Sequence, residues 1–461
     1  MTTRISYPVF STVLVVAGLS GSTVHAVPSF ARQTGMSCAQ CHTVFPELTP
    51  FGRQFKANGY VLTTTKQISD GEEGKRPLLE FPAGVPLGAM AIVGFTHTNA
   101  AQQLAPGAPA KNDDISLPQQ FSLFYAGKIA PKLGAFIQVT YEGPSDHFGF
   151  DNTEIRFAHS IDIAGKPLVL GATINNNPTV SDLWNSTPAW GQPFTSSGSA
   201  PSPAAATLIE GGLAQGVAGG GIFAYYNGPI DVYAEVDGYK SAPVGVSLPL
   251  DASTGATGVI DGVLPYFRLA VEKAHGNHTL MVGTFGIDGA LQPGGAFTDN
   301  STTPPTESVH PLTGAGDHYT DIAADAQYQY LGERHIVTAT LTYIHQSITL
   351  DASHAFGNAD NPSNDLHSFK GSASYIYARM IGGRATFATM RGSGDSTWYA
   401  GQGPRSTTVI GEVFATPWYN TRLGVMYTHY AEFNGASANY DGAGRSASDN
   451  GTLYGYLWLA F

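Results

Sequence analysis

From residue 86 to the C-terminus, apolar and polar positions alternate with a period of two. Ala135, Ile137, Val139 and Tyr141 interleave with Phe136, Gln138, Thr140 and Glu142. Ile230, Val232, Ala234 and Val236 interleave with Asp231, Tyr233, Glu235 and Asp237, and Val337, Ala339, Leu341 and Tyr343 with Thr338, Thr340 and Thr342. This pattern predicts about 16 strands, at 86–99, 119–130, 135–143, 151–163, 167–175, 215–227, 229–240, 264–274, 278–289, 318–331, 335–349, 366–379, 383–393, 405–416, 421–434 and 450–461. Short connections such as Gly165-Lys166, Asn227-Gly228 and Gly276-Asn277 alternate with long ones near 100–118, 176–214, 241–263, 290–317, 350–365, 394–404 and 435–449. Amphipathic strands joined alternately by tight turns and long loops are the pattern of an outer-membrane β-barrel. An even strand number brings both termini to the periplasmic side. The last strand carries Leu453, Leu457, Leu459 and the terminal Phe461 on one face, as a barrel-assembly signal does. The expected fold class is therefore all-β: a roughly 16-stranded antiparallel barrel over 86–461, its lumen wide enough for water or a plug.

The polar face predicts the lumen wall. It carries Glu142, Glu154, Asp231, Glu235, Asp237, Glu272, Asp321, Asp325 and Glu412, opposed by Lys128, Arg156, Arg268, Lys370, Arg384 and Arg422. The Gly-rich run GVAGGG at 216–221 opens a strand and lacks a Lys-Ser/Thr ending, so it reads as barrel curvature rather than a phosphate loop.

Composition agrees with lipid on one side. Charged residues are 13% of 461, while Gly (55), Tyr (22) and Phe (24) are abundant. After the N-terminus no apolar run reaches the ~18 residues of a helical span. The net charge of −12, or −13 without Arg4, excludes nucleic acid as the main partner. Residues 1–26 read as a secretory signal peptide: Arg4 starts it, Val13 to Gly18 lie in its apolar core, and Val24-His25-Ala26 closes it as a cleavage site.

The two cysteines fall in Cys38-Ala39-Gln40-Cys41-His42, a CxxCH motif. In an exported chain this spacing points to covalent haem c. Two thiols add across the haem vinyl groups, and the adjacent imidazole becomes the proximal iron ligand. A zinc half-site would want further cysteines, and a thioredoxin-like redox pair a βαβ context; neither follows. Thr49-Pro50 opens one brief helix ending near Gly59, with Thr49 as cap. Arg32, Arg53 and Lys56 are candidates to neutralise the haem propionates. The segment 27–80 is too short to bury a haem alone, so the barrel must enclose it. For the sixth iron position Met90 is the best-placed candidate, on the lumen-facing parity of the first strand. Met36 lies too close to Cys38, and His97 lies on the lipid-like parity. Loop carboxylates Asp113, Asp114, Asp251, Asp261, Asp299, Asp360, Asp365 and Asp395 could attract a metal cation, although an ordinary anionic surface has the same look.

The stretch PSFARQTGMSCAQCHTVFPELTPFGRQFKANGY resembles the N-terminus of the fused monohaem cytochrome–porins, the outer-membrane iron oxidases of iron-oxidising bacteria and their relatives. NNNPTVSDLWNSTPAWGQP (175–193) and PLGAMAIVGFTHT extend the resemblance. It implies one haem c on a plug within the barrel, attached through Cys38 and Cys41 and ligated by His42. It also implies electrons entering from extracellular Fe(II) and leaving to a periplasmic c-type cytochrome or copper protein. The alternative class is a solute-conducting porin whose haem segment is a structural or redox-sensing plug.

Overall fold

The computed structural model describes residues 29–62, 67–69, 79–103, 110–241, 258–293, 297–308, 316–418 and 420–461. The expected leader at 1–26, Asp251 and part of the 27–80 segment lie outside them. Sixteen long strands form one antiparallel sheet: β1 (Leu87–Gln102), β2 (Lys111–Ala130), β3 (Leu133–Glu142), β4 (His147–Ile163), β5 (Lys166–Asn175), β6 (Val217–Tyr226), β7 (Asp231–Ser241), β8 (Leu264–His275), β9 (His278–Gln292), β10 (Asp317–Leu331), β11 (His335–Thr349), β12 (Ser363–Tyr377), β13 (Ile381–Gly392), β14 (Ser406–Ala415), β15 (Thr421–Glu432) and β16 (Thr452–Ala460). The sheet closes where β16 pairs with β1, Thr452 opposite Thr98 and Ala460 opposite Met90. Closure removes the unpaired edges that a lipid phase cannot hydrogen-bond.

Each expected strand is present. The largest boundary correction is β2, which begins at Lys111 and not at 119. Its extra residues keep register with β1, Asp113 opposite His97, and carry polar pairs: His97 to Asp113 and Lys111 to Asp114, both at 2.8 Å. Charged rim pairs of this kind carry no hydrophobic periodicity. The tight turn expected at Gly165-Lys166 lies one residue earlier: Ala164 and Gly165 both take positive φ (53° and 75°) and Lys166 opens the next strand, which matches the twist of a two-residue hairpin.

The outward face is apolar. Leu123, Leu170, Ile222, Leu269, Leu341 and Val413 are all exposed on it. Tyr328, Tyr375, Tyr377 and Trp418 stand near the short turns, and Tyr343 and Tyr427 nearer the long loops. An apolar band between two aromatic levels is the lipid-facing surface of a transmembrane barrel. Among the described residues no helix is long and apolar enough to cross a membrane.

The polar face points inward, and most of its charged side chains are covered. Of the charged wall residues predicted from sequence, only Glu142, Asp231 and Lys370 retain appreciable exposure; the rest are buried. Two pieces of chain fill the lumen. The first is the N-terminal segment, with helices α1 (Ser29–Thr34), α2 (Cys38–Cys41) and α3 (Pro50–Ala57). It sits toward the short-turn end. Ser29 donates to the Ala126 carbonyl of β2, and Val44 packs against Ile336 and Ile376. The second is the long connection 176–216 between β5 and β6, which folds inward: Val180, Leu183 and Trp184 are buried. Leu183 and Trp184 share a core with Ala57, Phe223, Tyr233 and Met281.

Candidate haem segment in the barrel lumen

The helix foreseen at Pro50 is α3. Thr49 Oγ1 accepts from the Gly52 amide at 3.1 Å, and Pro50 occupies the first turn. The one-turn α2, which mounts both cysteines, was not foreseen; four residues are too few to carry a period. The two helices pack closely, because Gly52 lies against the Cys41 carbonyl: a Cβ there would stand 2.3 Å from that oxygen. We therefore expect Gly52→Val to push α3 away from α2 and to lose most covalent haem per folded barrel, measured as peroxidase-active stain against total barrel on a denaturing gel.

Cys38 and Cys41 are free thiols, half-buried, one helical turn apart. Burial pushes both up, Cys41 to about 11. That is opposite to the depressed value a redox-active thiol pair needs. Burial lowers His42, which favours the neutral imidazole. Its Nδ1 donates to the Pro46 carbonyl at 3.3 Å, which leaves Nε2 free to act as a ligand. Asn185 of the infolded loop donates to the same carbonyl at 2.9 Å. Beside the imidazole, the Phe45 ring lies 5.4 Å away and is 38% exposed, although it sits among luminal aromatics. Two accessible thiols, an oriented imidazole and an uncovered aromatic surface fit a covalently bound haem.

The three basic residues proposed for the propionates each already hold a protein group. Arg53, fully buried, pairs with Glu272 at 2.8 Å and donates to Gln329 at 2.8 Å and to the Leu48 carbonyl at 3.0 Å. Lys56 donates to the Val180 and Asp182 carbonyls, both at 2.6 Å, with its ammonium 4.9 Å above the Trp190 ring; burial pulls it down to about 8. Exposed Arg32 donates to the Leu87 carbonyl. These contacts pin the plug to the wall and to the infolded loop.

Met90 faces the lumen, as expected, in a buried cluster with Ile92, Met426, Tyr454, Tyr456 and Trp458. Trp458 meets Phe45 edge-to-face at 5.5 Å, so Phe45 links His42 to that cluster. Met426, in the same cluster, was not foreseen. His97 lies at the rim in its pair with Asp113. The loop carboxylates hold neighbouring protein groups: Asp114 holds Lys111 and Ser199, Asp360 holds Ser396 and Thr397, and Asp395 holds the amides of Asp360, Asn361 and Trp398. Among the described residues no three His, Cys, Asp or Glu side chains converge as a metal cluster.

Sequence reasoning also missed the inward role of 176–216. Its signal was the clustering of Leu183, Trp184 and Trp190 within a long connection where a solvated loop would carry polar residues.

No protein-family model matches the chain, and no curated protein does. Solved structures that resemble it include OmpT, an outer membrane protein of Vibrio cholerae (12% identity, 82% of this chain and 97% of that one, TM-score 0.43), an anion-selective porin from Comamonas acidovorans (11%, 81% and 98%, 0.43) and the outer membrane channel DcaP of Acinetobacter baumannii (10%, 81% and 96%, 0.43). Similarity at this level transfers no residue role to this chain.

Proposed function

We propose that this outer-membrane barrel is an electron conduit, taking electrons from extracellular Fe(II) and delivering them through one covalent haem c to a periplasmic c-type cytochrome or copper protein. The observation that carries the reading is the mounting of Cys38, Cys41 and His42 on a plug inside a lumen whose wall is otherwise buried. A solute pore needs a continuous wet path, and the packed wall, plug and loop argue against one.

A haem held there would supply reversible one-electron storage at its iron. The protein's part is positional. Cys38 and Cys41 would tether the group and His42 would ligate it, its imidazole oriented by the Pro46 carbonyl. Phe45 would cover part of the group beside His42, and Met90, in the buried cluster on the lumen wall, is the further residue proposed to hold its iron. The hydrocarbon core is about 30 Å thick, and a redox group held within the barrel shortens the path between an outside donor and a periplasmic acceptor. Ferric iron is poorly soluble near neutral pH, so oxidation outside the cell avoids mineral deposits within it.

The test is stopped-flow absorbance of the oxidised, detergent-purified protein mixed with Fe(II) at acidic and near-neutral pH. Rapid appearance of the reduced haem bands is the expected result. Reduction by dithionite but not by Fe(II) would overturn the iron reading and leave the tethered haem intact.

A further inference from the structure

One buried cluster of the lumen does not balance its charge. Arg53, Lys56, Arg156 and Arg268 are buried together with Glu154, Asp182, Glu235, Asp237, Glu272 and Asp325, four cations against six carboxylates. The cations are committed. Arg53 holds Glu272 at 2.8 Å, Arg268 holds Asp182 at 3.1 Å and also Asp325, and Arg156 faces Glu154 at 3.5 Å. Arg156 further donates to the Tyr233 hydroxyl at 2.6 Å and the Ser181 carbonyl at 3.2 Å. Lys56 is taken by two carbonyls.

The surplus falls on Glu235 and Asp237, neighbours on the inner face of β7, where the two carboxyl groups meet. Glu235 Oε2 accepts from Tyr233 at 2.8 Å and from Ser181 at 2.9 Å. Asp237 Oδ2 shares the single hydroxyl hydrogen of Tyr239 with Asn175 Oδ1, at 3.0 and 2.9 Å. The other oxygen of each, Glu235 Oε1 and Asp237 Oδ1, receives no hydrogen from any other residue, and the Tyr266 hydroxyl has no partner. Tyr266 stands directly across from Asp237 in the β7–β8 register and is 2% exposed; Glu235 and Asp237 are 2% and 7% exposed. The position of Gly221 opposite Asp237 leaves room there, since a Cβ at 221 would come within 2.4 Å of Asp237 Oδ1.

Unpaired buried charge is costly enough that such groups bind a counter-charge or take up protons. One shared proton would satisfy the carboxyl pair alone. It would leave one negative charge and the phenol unanswered. We propose that Glu235, Asp237 and Tyr266 hold one divalent cation of the hard, oxygen-seeking class within the barrel. Its charge equals the surplus, and Glu235 Oε1, Asp237 Oδ1 and the Tyr266 hydroxyl are its ligands. The site stands independently of the haem reading.

Mn(II) is a suitable probe. The purified protein in detergent is stripped with chelator and titrated with Mn(II), and binding is followed as loss of the free-ion paramagnetic resonance signal. The expected result is one tight Mn(II) per chain, lost in Asp237→Asn, weakened severalfold in Tyr266→Phe and retained in Asp113→Asn at the rim. No tight Mn(II), or binding unchanged in Asp237→Asn, would overturn the site. If Asp237→Asn fails to fold, infrared difference spectra of the wild-type protein decide. A carboxylate band shifted by Mn(II) supports the cation. A protonated-carboxyl band indifferent to Mn(II) overturns it in favour of a proton-sharing pair.

Discussion

Replacing both Cys38 and Cys41 with alanine should abolish covalent haem and leave the barrel folded. The chain has no other cysteine, so no second thioether site can substitute. Each single variant retains one thiol and should keep a partly attached haem with altered bands; only the double variant should reach zero stain. The barrel should survive because neither thiol holds the plug in place. That work is done by Arg53 on Glu272, Lys56 on the loop carbonyls, Tyr60 on Glu154 at 2.5 Å and Glu47 on Arg384 at 3.4 Å. Two measurements on one gel check this: peroxidase stain after denaturation, and the heat-dependent mobility shift of a folded barrel. Stain that persists in the double variant would overturn covalent attachment at this motif. His42→Ala separates tethering from ligation. It should keep the stain and lose the low-spin spectrum, because both thiols remain while the oriented imidazole is gone.

The barrel was legible because its physics is local. A strand with lipid on one side and a packed polar lumen on the other must alternate, and a one-residue slip would turn every side chain to the wrong medium. Val236 and Leu341 outside, with Glu235 and Thr338 inside, follow from that alone. The CxxCH motif stands out in the sequence because thioether attachment would demand its spacing, and its haem reading is the proposal that the Cys38/Cys41 variants test. What the sequence withheld depends on three-dimensional meeting. Arg53 and Glu272, 219 positions apart, become partners only once the plug is seated. The connection 176–216 reads as an outer loop by length, and only the buried Trp184, donating to Glu272 at 2.6 Å, shows that it turns inward. The sequence therefore marks the charged lumen wall without its partners, whereas the structure shows many of these groups paired around inserted chain.

That pairing makes Arg268→Met the substitution with the largest expected effect on stability and on leakage. Arg268 joins the infolded loop to the wall. Its Nη2 lies 3.1 Å from Asp182 of the loop and 2.8 Å from Asp325 of β10, and Trp184 and Phe285 flank its guanidinium at 5.8 and 5.6 Å. Methionine keeps much of the volume and removes the charge, leaving two buried carboxylates facing one another. Breaking a buried pair from one side costs about 3–5 kcal/mol, and here one cation serves two anions in a cluster already short of positive charge. The wild-type protein should be electrically silent in planar bilayers, since plug and loop occupy its lumen. Arg268→Met should melt at lower temperature and show fluctuating ion conductance as the loop detaches from β10. The triple variant with Asp182→Asn and Asp325→Asn should recover part of the melting temperature, because it removes the charges that the single change strands. A silent Arg268→Met protein with wild-type melting would mean that the loop is held by its apolar core of Leu183 and Trp184 alone, and that the ion pairs add specificity of docking rather than closure.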